Sequence, residues 1–134
     1  MRYIIDTNVF TDFIEDRVIS KKVQQILEDK DNLVYVCSES IREFIHLMQS
    51  GKIIPKRKNF DVFSFVENEL GYGIKYIAKE HLRTLAKLPI IDEHKDPADR
   101  LIISQAITEK IPLISSDKQF PKYRKYGLDF IPNY

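Results

Sequence analysis

Arg2-Tyr3-Ile4-Ile5-Asp6-Thr7-Asn8 passes from an apolar, β-branched run into one acidic and two polar residues, the pattern of a buried strand that ends where a helix begins. Acidic residues recur at the same kind of junction further along. Glu43 follows Leu33-Val34-Tyr35-Val36 by a short turn, Asp99 opens a helix-like run, and Asp117 follows Leu113-Ile114-Ser115-Ser116. In a parallel α/β sheet such junctions converge on one edge, because reactive groups collect outside the carboxyl ends of the strands. The expected fold is α/β and three-layered, with a mostly parallel central sheet of about four to five strands flanked by helices. The expected organisation is a single domain over residues 1–134.

Working outward from that first junction, the apolar spacing predicts a strand over 2–6 and a short helix over 8–14. Ser20 is placed to cap a helix reaching about residue 29, whose face carries Val23, Ile26 and Leu27. A strand over 33–37 follows, then a helix from Ser40 that Gly51 stops. Further on, the pattern predicts a helix over 60–70, a strand over 72–77 and a helix over 79–88 ended by Pro89. Asp96 reads as a helix N-cap with Pro97 at the first helical position, and Ile102, Ile103, Ala106 and Ile107 point inward before the helix ends near Lys110. A strand over 112–115, a short helix or loop over 118–126 and a strand over 127–132 complete the chain.

Lys+Arg at 21 against Asp+Glu at 20 give a formal charge of +1, so any basic surface for nucleic acid has to be local. Cys37 is the only cysteine, which forbids an internal disulfide and a multi-cysteine zinc site and fits a reducing, cytoplasmic setting. No apolar run approaches the ~18 residues of a membrane span, and the N-terminal one is too short for a signal peptide.

Each carboxylate alone has a structural explanation. Ser40-Ile41-Arg42-Glu43 fits a capping box, Asp99 suits the positive end of a helix dipole, and Asp6 and Asp117 suit turns. Together they demand more. Two bare carboxylates ~4 Å apart repel by about 4 kcal/mol at an effective dielectric near ~20. Compensation then comes from protonation, a basic side chain or a hard cation, and an oxygen-only ligand set selects magnesium or manganese. His46, His81 and His94 share no metal-ligand spacing; His81 reads most simply as a helix residue, and His94, two residues before Asp96, could approach the site.

Asp6-Thr7-Asn8, Glu43, Asp96-Pro97-Ala98-Asp99-Arg100 and Ser115-Ser116-Asp117, in that order across nearly the whole chain, resemble a PIN domain. Ser40-x-x-Glu43 with Gly51-Lys52-Ile53, and the run from His94 to Phe120, are similar in particular to VapC-type toxins of toxin-antitoxin pairs. Cys37 departs from relatives, which often carry serine there. The resemblance implies a magnesium- or manganese-dependent endoribonuclease with Asp6, Glu43, Asp99 and Asp117 as catalytic, metal-holding acids. Asn8 and Ser116 would orient those carboxylates or a water. The bound cation would neutralise charge at the phosphate and activate a water for in-line attack.

Substrate contacts are expected from Lys52 in the basic loop after the Glu43 helix, from Arg100, and from Lys118, Lys122 and Arg124, where cations alternate with aromatics. Such interleaving suits single-stranded RNA. The resemblance further implies a cognate antitoxin and a homodimer; Phe10, Phe13, Ile14, Val23 and Ile26 are apolar candidates for the partner surface, with core packing as the role expected of most of them. Three other readings are compatible with acidic chemistry to different degrees. A PIN-type nuclease for DNA or for housekeeping RNA processing would use the same residues, and an inactive partner-binding PIN module would keep only the surface. An aspartyl-phosphate phosphatase fits poorly, because Asn8 stands where a second aspartate is required.

Overall fold

The computed structural model describes residues 1–134. The chain alternates strands and helices: β1 (Arg2–Ile5), α1 (Thr7–Ile14), α2 (Lys21–Glu28), β2 (Leu33–Cys37) and α3 (Ser38–Gln49). It continues with α4 (Val62–Ser64), a π-helical turn (Phe65–Glu69), β3 (Gly73–Lys75), α5 (Lys79–Lys87), α6 (Pro97–Glu109), β4 (Leu113–Ser115), a 3-10 helix (Phe120–Tyr126) and β5 (Phe130–Pro132). The five strands form one all-parallel sheet in the order β3-β2-β1-β4-β5. The direction of strand addition reverses between β1 and β4. At such a switch point the loops that leave neighbouring strands diverge to opposite faces and open a crevice.

Side-chain alternation sorts the sheet into two cores. Tyr3 and Ile5 of β1, Val34 and Val36 of β2 and Ile114 of β4 face a cluster with Val9, Phe10, Ile41 and Phe44 from α1 and α3. Ile4, Cys37 and Leu113 face the other way, onto Ile102, Ile103 and Ala106 of α6 and Phe120 and Tyr123 of the 3-10 helix. A sheet covered on both faces needs apolar residues at successive positions, which is why β1 reads Tyr-Ile-Ile without a polar partner. Phe10 meets Phe44 edge-on with ring centroids 5.3 Å apart. Phe10 and Val23, candidates for a partner surface, are fully buried and belong to this core, whereas Phe13, Ile14 and Ile26 are half-buried. No helix is long and apolar enough to cross a membrane.

The helix boundaries follow their chemistry. Ser20 accepts from the Val23 amide and caps α2. After α3, Gly51 takes φ +77°, its amide donates to Met48 O and the Lys52 amide to Leu47 O, closing the helix in a Schellman motif. The start of α3 differs from expectation. It begins at Ser38, capped by the Cys37 sulfur, which accepts from the Glu39 amide at 3.4 Å. Ser40 is therefore inside the helix and forms no capping box with Glu43. The expected helix over 60–70 is split, with the Leu70 amide reaching back five residues to Phe65 O in the π turn. The strands β3 and β5 are shorter than the expected 72–77 and 127–132; in β5 this is because Gly127 adopts φ +101° to close the 3-10 helix rather than to extend a strand.

Candidate functional site

Asp6 ends β1 and caps α1. Its Oδ1 accepts from the Thr7 amide at 2.8 Å, and its Oδ2 accepts the Ser115 hydroxyl at 2.8 Å. Ser115 is the last residue of β4, the neighbouring strand, so a bond across the switch point fixes the buried carboxylate. The same Ser115 oxygen accepts from the Asp117 amide at 3.0 Å and from Asn8 Nδ2 at 3.3 Å, while Asn8 Oδ1 accepts from the Ser116 amide at 3.2 Å. Asn8 thus ties the start of α1 to the end of β4. The expected role of Ser116 falls differently: its hydroxyl accepts from Asn133 Nδ2, and the hydroxyl on Asp6 is that of Ser115.

Glu43 arrives by a second tie. Thr7 donates its hydroxyl to Ser40 Oγ at 3.0 Å, which docks α1 on α3. Three residues on, Glu43 lies on the same helix face and lines one cleft with Asp6, Asn8 and Asp99. Asp99 enters from α6, whose N-cap Asp96 accepts from the Asp99 amide at 3.0 Å. Pro97 at the first helical position fixes this entry.

Asp99 also belongs to a second grouping. His94, Asp99 and Asp117 each present a ligand atom within 4.8 Å of the others. Two consecutive left-handed residues, Asp92 at φ +48° and Glu93 at φ +60°, turn the chain just before His94. The imidazole then meets Asp99 Oδ2 through Nε2 at 3.0 Å and the Tyr123 hydroxyl through Nδ1 at 2.7 Å. The sequence gives no sign that Ser115 rather than Ser116 bonds Asp6, or that Tyr123 among the aromatics of its basic helix meets His94, because both pairings depend on tertiary placement.

The electrostatics match the crowding. Burial, then the negative charge of Asp99, pushes the Asp6 carboxyl up to about 7 despite the bonds from Ser115 and Thr7. Burial, followed by Asp96, Asp117 and Glu43, pushes Asp99 up to about 7 as well. Carboxylates held this way gain strongly from a nearby positive charge. Their oxygens, with one imidazole nitrogen at the margin, form a donor set suited to a hard or borderline divalent cation.

The cations expected to meet RNA are placed unequally. Arg100 is buried and donates to Leu88 O at 2.7 Å and Pro89 O at 3.0 Å, so its guanidinium holds the loop before α6 and is turned away from solvent. Lys122 pairs with Asp92 at 2.9 Å, and Arg124 lies over the Phe130 ring and donates to Phe130 O. Lys118 is exposed, with its ammonium 5.4 Å from the centroid of the Tyr134 ring, and Lys52 is exposed beside the Schellman turn.

No curated protein is significantly similar to the chain in sequence. Solved structures are similar in fold. VapBC2 from Rickettsia felis, bound to a DNA fragment from its promoter, has a TM-score of 0.69 at 20% identity, with 98% of both chains covered. The DNA-bound VapBC from Salmonella typhimurium has a TM-score of 0.71 at 13% identity, with 100% of this chain and 99% of that chain covered. VapBC-5 from Mycobacterium tuberculosis, a member of the VapBC family of toxin-antitoxin systems, has a TM-score of 0.62 at 16% identity, with 98% of both chains covered. The family model for the PIN domain matches residues 3–126, a span that runs from β1 through the 3-10 helix and includes every acidic residue of the cleft. The chain belongs to the PIN domain family.

Proposed function

We propose that this chain is a divalent-cation-dependent endoribonuclease that hydrolyses RNA phosphodiester bonds, and that it is the toxin of a VapC-type toxin-antitoxin pair. The observation that carries the reading is the meeting of Asp6, Glu43 and Asp99 in one cleft, with Asp117 beside Asp99. Asp6, Asp99, Asp117 and Glu43 would hold magnesium or manganese. When bound, such a cation supplies charge neutralisation at the phosphate and lowers the pKa of a water.

The protein's own contribution is positioning. Ser115 and Thr7 fix both oxygens of Asp6, Asn8 braces the β4 end, and the Asp96 cap fixes the first turn that carries Asp99. Exposed Lys52 and Lys118 would meet phosphates of a single strand at the rim, and Tyr134 beside Lys118 offers a ring face for a base. Lys122 and Arg124, already engaged, would contribute less.

The similar solved structures are VapBC assemblies, which supports a cognate antitoxin as partner. The half-buried Phe13, Ile14 and Ile26 are available for contact with it or with a second copy in a homodimer. Expression of the chain alone should arrest growth of its host. Asp99→Ala should remove the arrest at equal soluble yield, and co-expression of the adjacent gene product should restore growth. Normal growth with abundant soluble wild-type protein would contradict the toxin reading.

A further inference from the structure

An all-oxygen site needs no imidazole, yet one stands at its edge and is held there from both sides. Nε2 of His94 lies 3.0 Å from Asp99 Oδ2 and Nδ1 lies 2.7 Å from the Tyr123 hydroxyl. The ring is also packed edge-on against the Tyr123 ring, with centroids 5.6 Å apart, and lies near Phe120 at 6.1 Å. Its side chain is 10% exposed. Tyr123 is fully buried, so the partner that fixes the imidazole is itself fixed by the core.

We propose that His94 is a nitrogen ligand of the cation site, joining Asp99 and Asp117, and that it biases the site towards manganese over magnesium. This rests on the proposed metal-dependent function and deepens it. The three ligand atoms lie within 4.8 Å of one another, so the groups converge with little side-chain movement.

Ring chemistry allows the exchange without gain or loss of a proton. In one neutral tautomer Nε2–H donates to Asp99 and Nδ1 accepts from the Tyr123 hydroxyl; in the other Nδ1–H donates to the Tyr123 oxygen and the Nε2 lone pair is free. A cation held at Nε2 would take the second tautomer, leaving Nδ1–H to donate to the Tyr123 oxygen at 2.7 Å. A ligating histidine that gives its other N–H to a fixed oxygen is the usual arrangement, because that second bond sets the tautomer and the ring plane. Magnesium takes oxygen ligands and dehydrates reluctantly, whereas imidazole suits softer divalent ions.

The test uses the full-length protein with manganese or magnesium alone. Pulsed electron paramagnetic resonance of the manganese-loaded wild type should show coupling to a directly bound nitrogen, and this coupling should vanish in His94→Gln. Calorimetry should find manganese binding weakened by about tenfold or more in His94→Gln, a loss typical of an altered ligand environment. Magnesium binding should change by less than about threefold. Tyr123→Phe should keep the nitrogen coupling but weaken manganese binding, since the ring keeps its packing and loses its anchor.

Manganese bound without nitrogen coupling would overturn the proposal and leave the acidic metal site standing. Equal losses of manganese and magnesium affinity in His94→Gln would reassign His94 to orienting Asp99 alone. No manganese binding to the wild type would overturn both this proposal and the metal-dependent reading beneath it.

Discussion

At the scale of single residues, the site is a set of acids whose neighbours are chosen to hold them still rather than to neutralise them. Asp6 takes hydrogen bonds from Ser115 and Thr7 yet remains pushed up to about 7 by burial and Asp99. A carboxyl whose folded pKa is raised binds protons more tightly folded than unfolded. Its stabilising contribution is therefore present at low pH and is lost as pH rises from about 3.8 through about 7. The metal-free protein should lose on the order of a few kcal/mol of stability between pH 5 and pH 8, seen as a fall in melting temperature. Asp6→Asn should flatten that slope, and magnesium or manganese should restore the wild-type Tm at pH 8 by linkage. A metal-free protein that is more stable at pH 8 than at pH 5 would contradict this account of Asp6 and Asp99. Ser115→Ala keeps all four acids but removes the hydroxyl that bonds Asp6, the Asp117 amide and Asn8, and should lower metal affinity or activity about tenfold or more while leaving the protein folded.

At the scale of elements, legibility followed the strength of local chemistry. Asp96-Pro97 placed α6 correctly because a cap side chain and a fixed proline φ act within one turn. Ser20 and Gly51 marked α2 and α3 for the same reason. The start of α3 departs from its expected position because Ser40 is a strong cap residue by type, whereas the cap is a cysteine sulfur, a weak acceptor that sequence rules rank low. His94 reaches Asp99 through left-handed backbone at Asp92 and Glu93, neither of them glycine, a path that sequence spacing does not encode. Asp6, Asp99 and Asp117 stand at or near strand or helix ends, where local pattern singles them out, whereas Glu43 lies mid-helix in α3 and meets them only through the docking of α1 on α3; the hydroxyls around the acids depend on strand order, which local pattern does not encode. Two measurements check the elements. Ser20→Ala should destabilise by about 0.5–2 kcal/mol through loss of the α2 cap. Gly73→Val should destabilise β3, because even a Cβ there would lie 2.8 Å from the Tyr35 ring, and Tyr35→Ala in the same chain should relieve part of that loss. Denaturant midpoints of the single and double variants decide it.

At the scale of the whole molecule, the all-parallel sheet brings the loops after β1 and β4 to one edge, and the helices α3 and α6 carry Glu43 and Asp99 to the same place. Near-neutral net charge means that the proposed RNA substrate would have to be captured by local cations. Lys52→Ala and Lys118→Ala should each weaken single-stranded RNA binding across sequences and reduce the salt slope of log affinity by about 0.7 per lost contact. Arg100→Ala should instead lower stability, since its guanidinium holds two loop carbonyls. The measurement that bears most directly on the central claim is cleavage of a single-stranded RNA by the purified chain, with magnesium, with manganese and with chelator, alongside Asp6→Asn. The account predicts cation-dependent internal cleavage by the wild type, and none by a folded Asp6→Asn protein that melts no lower than the wild type without metal. Cleavage that survives both chelation and Asp6→Asn, or a cation-loaded wild type that cuts no RNA, would contradict it.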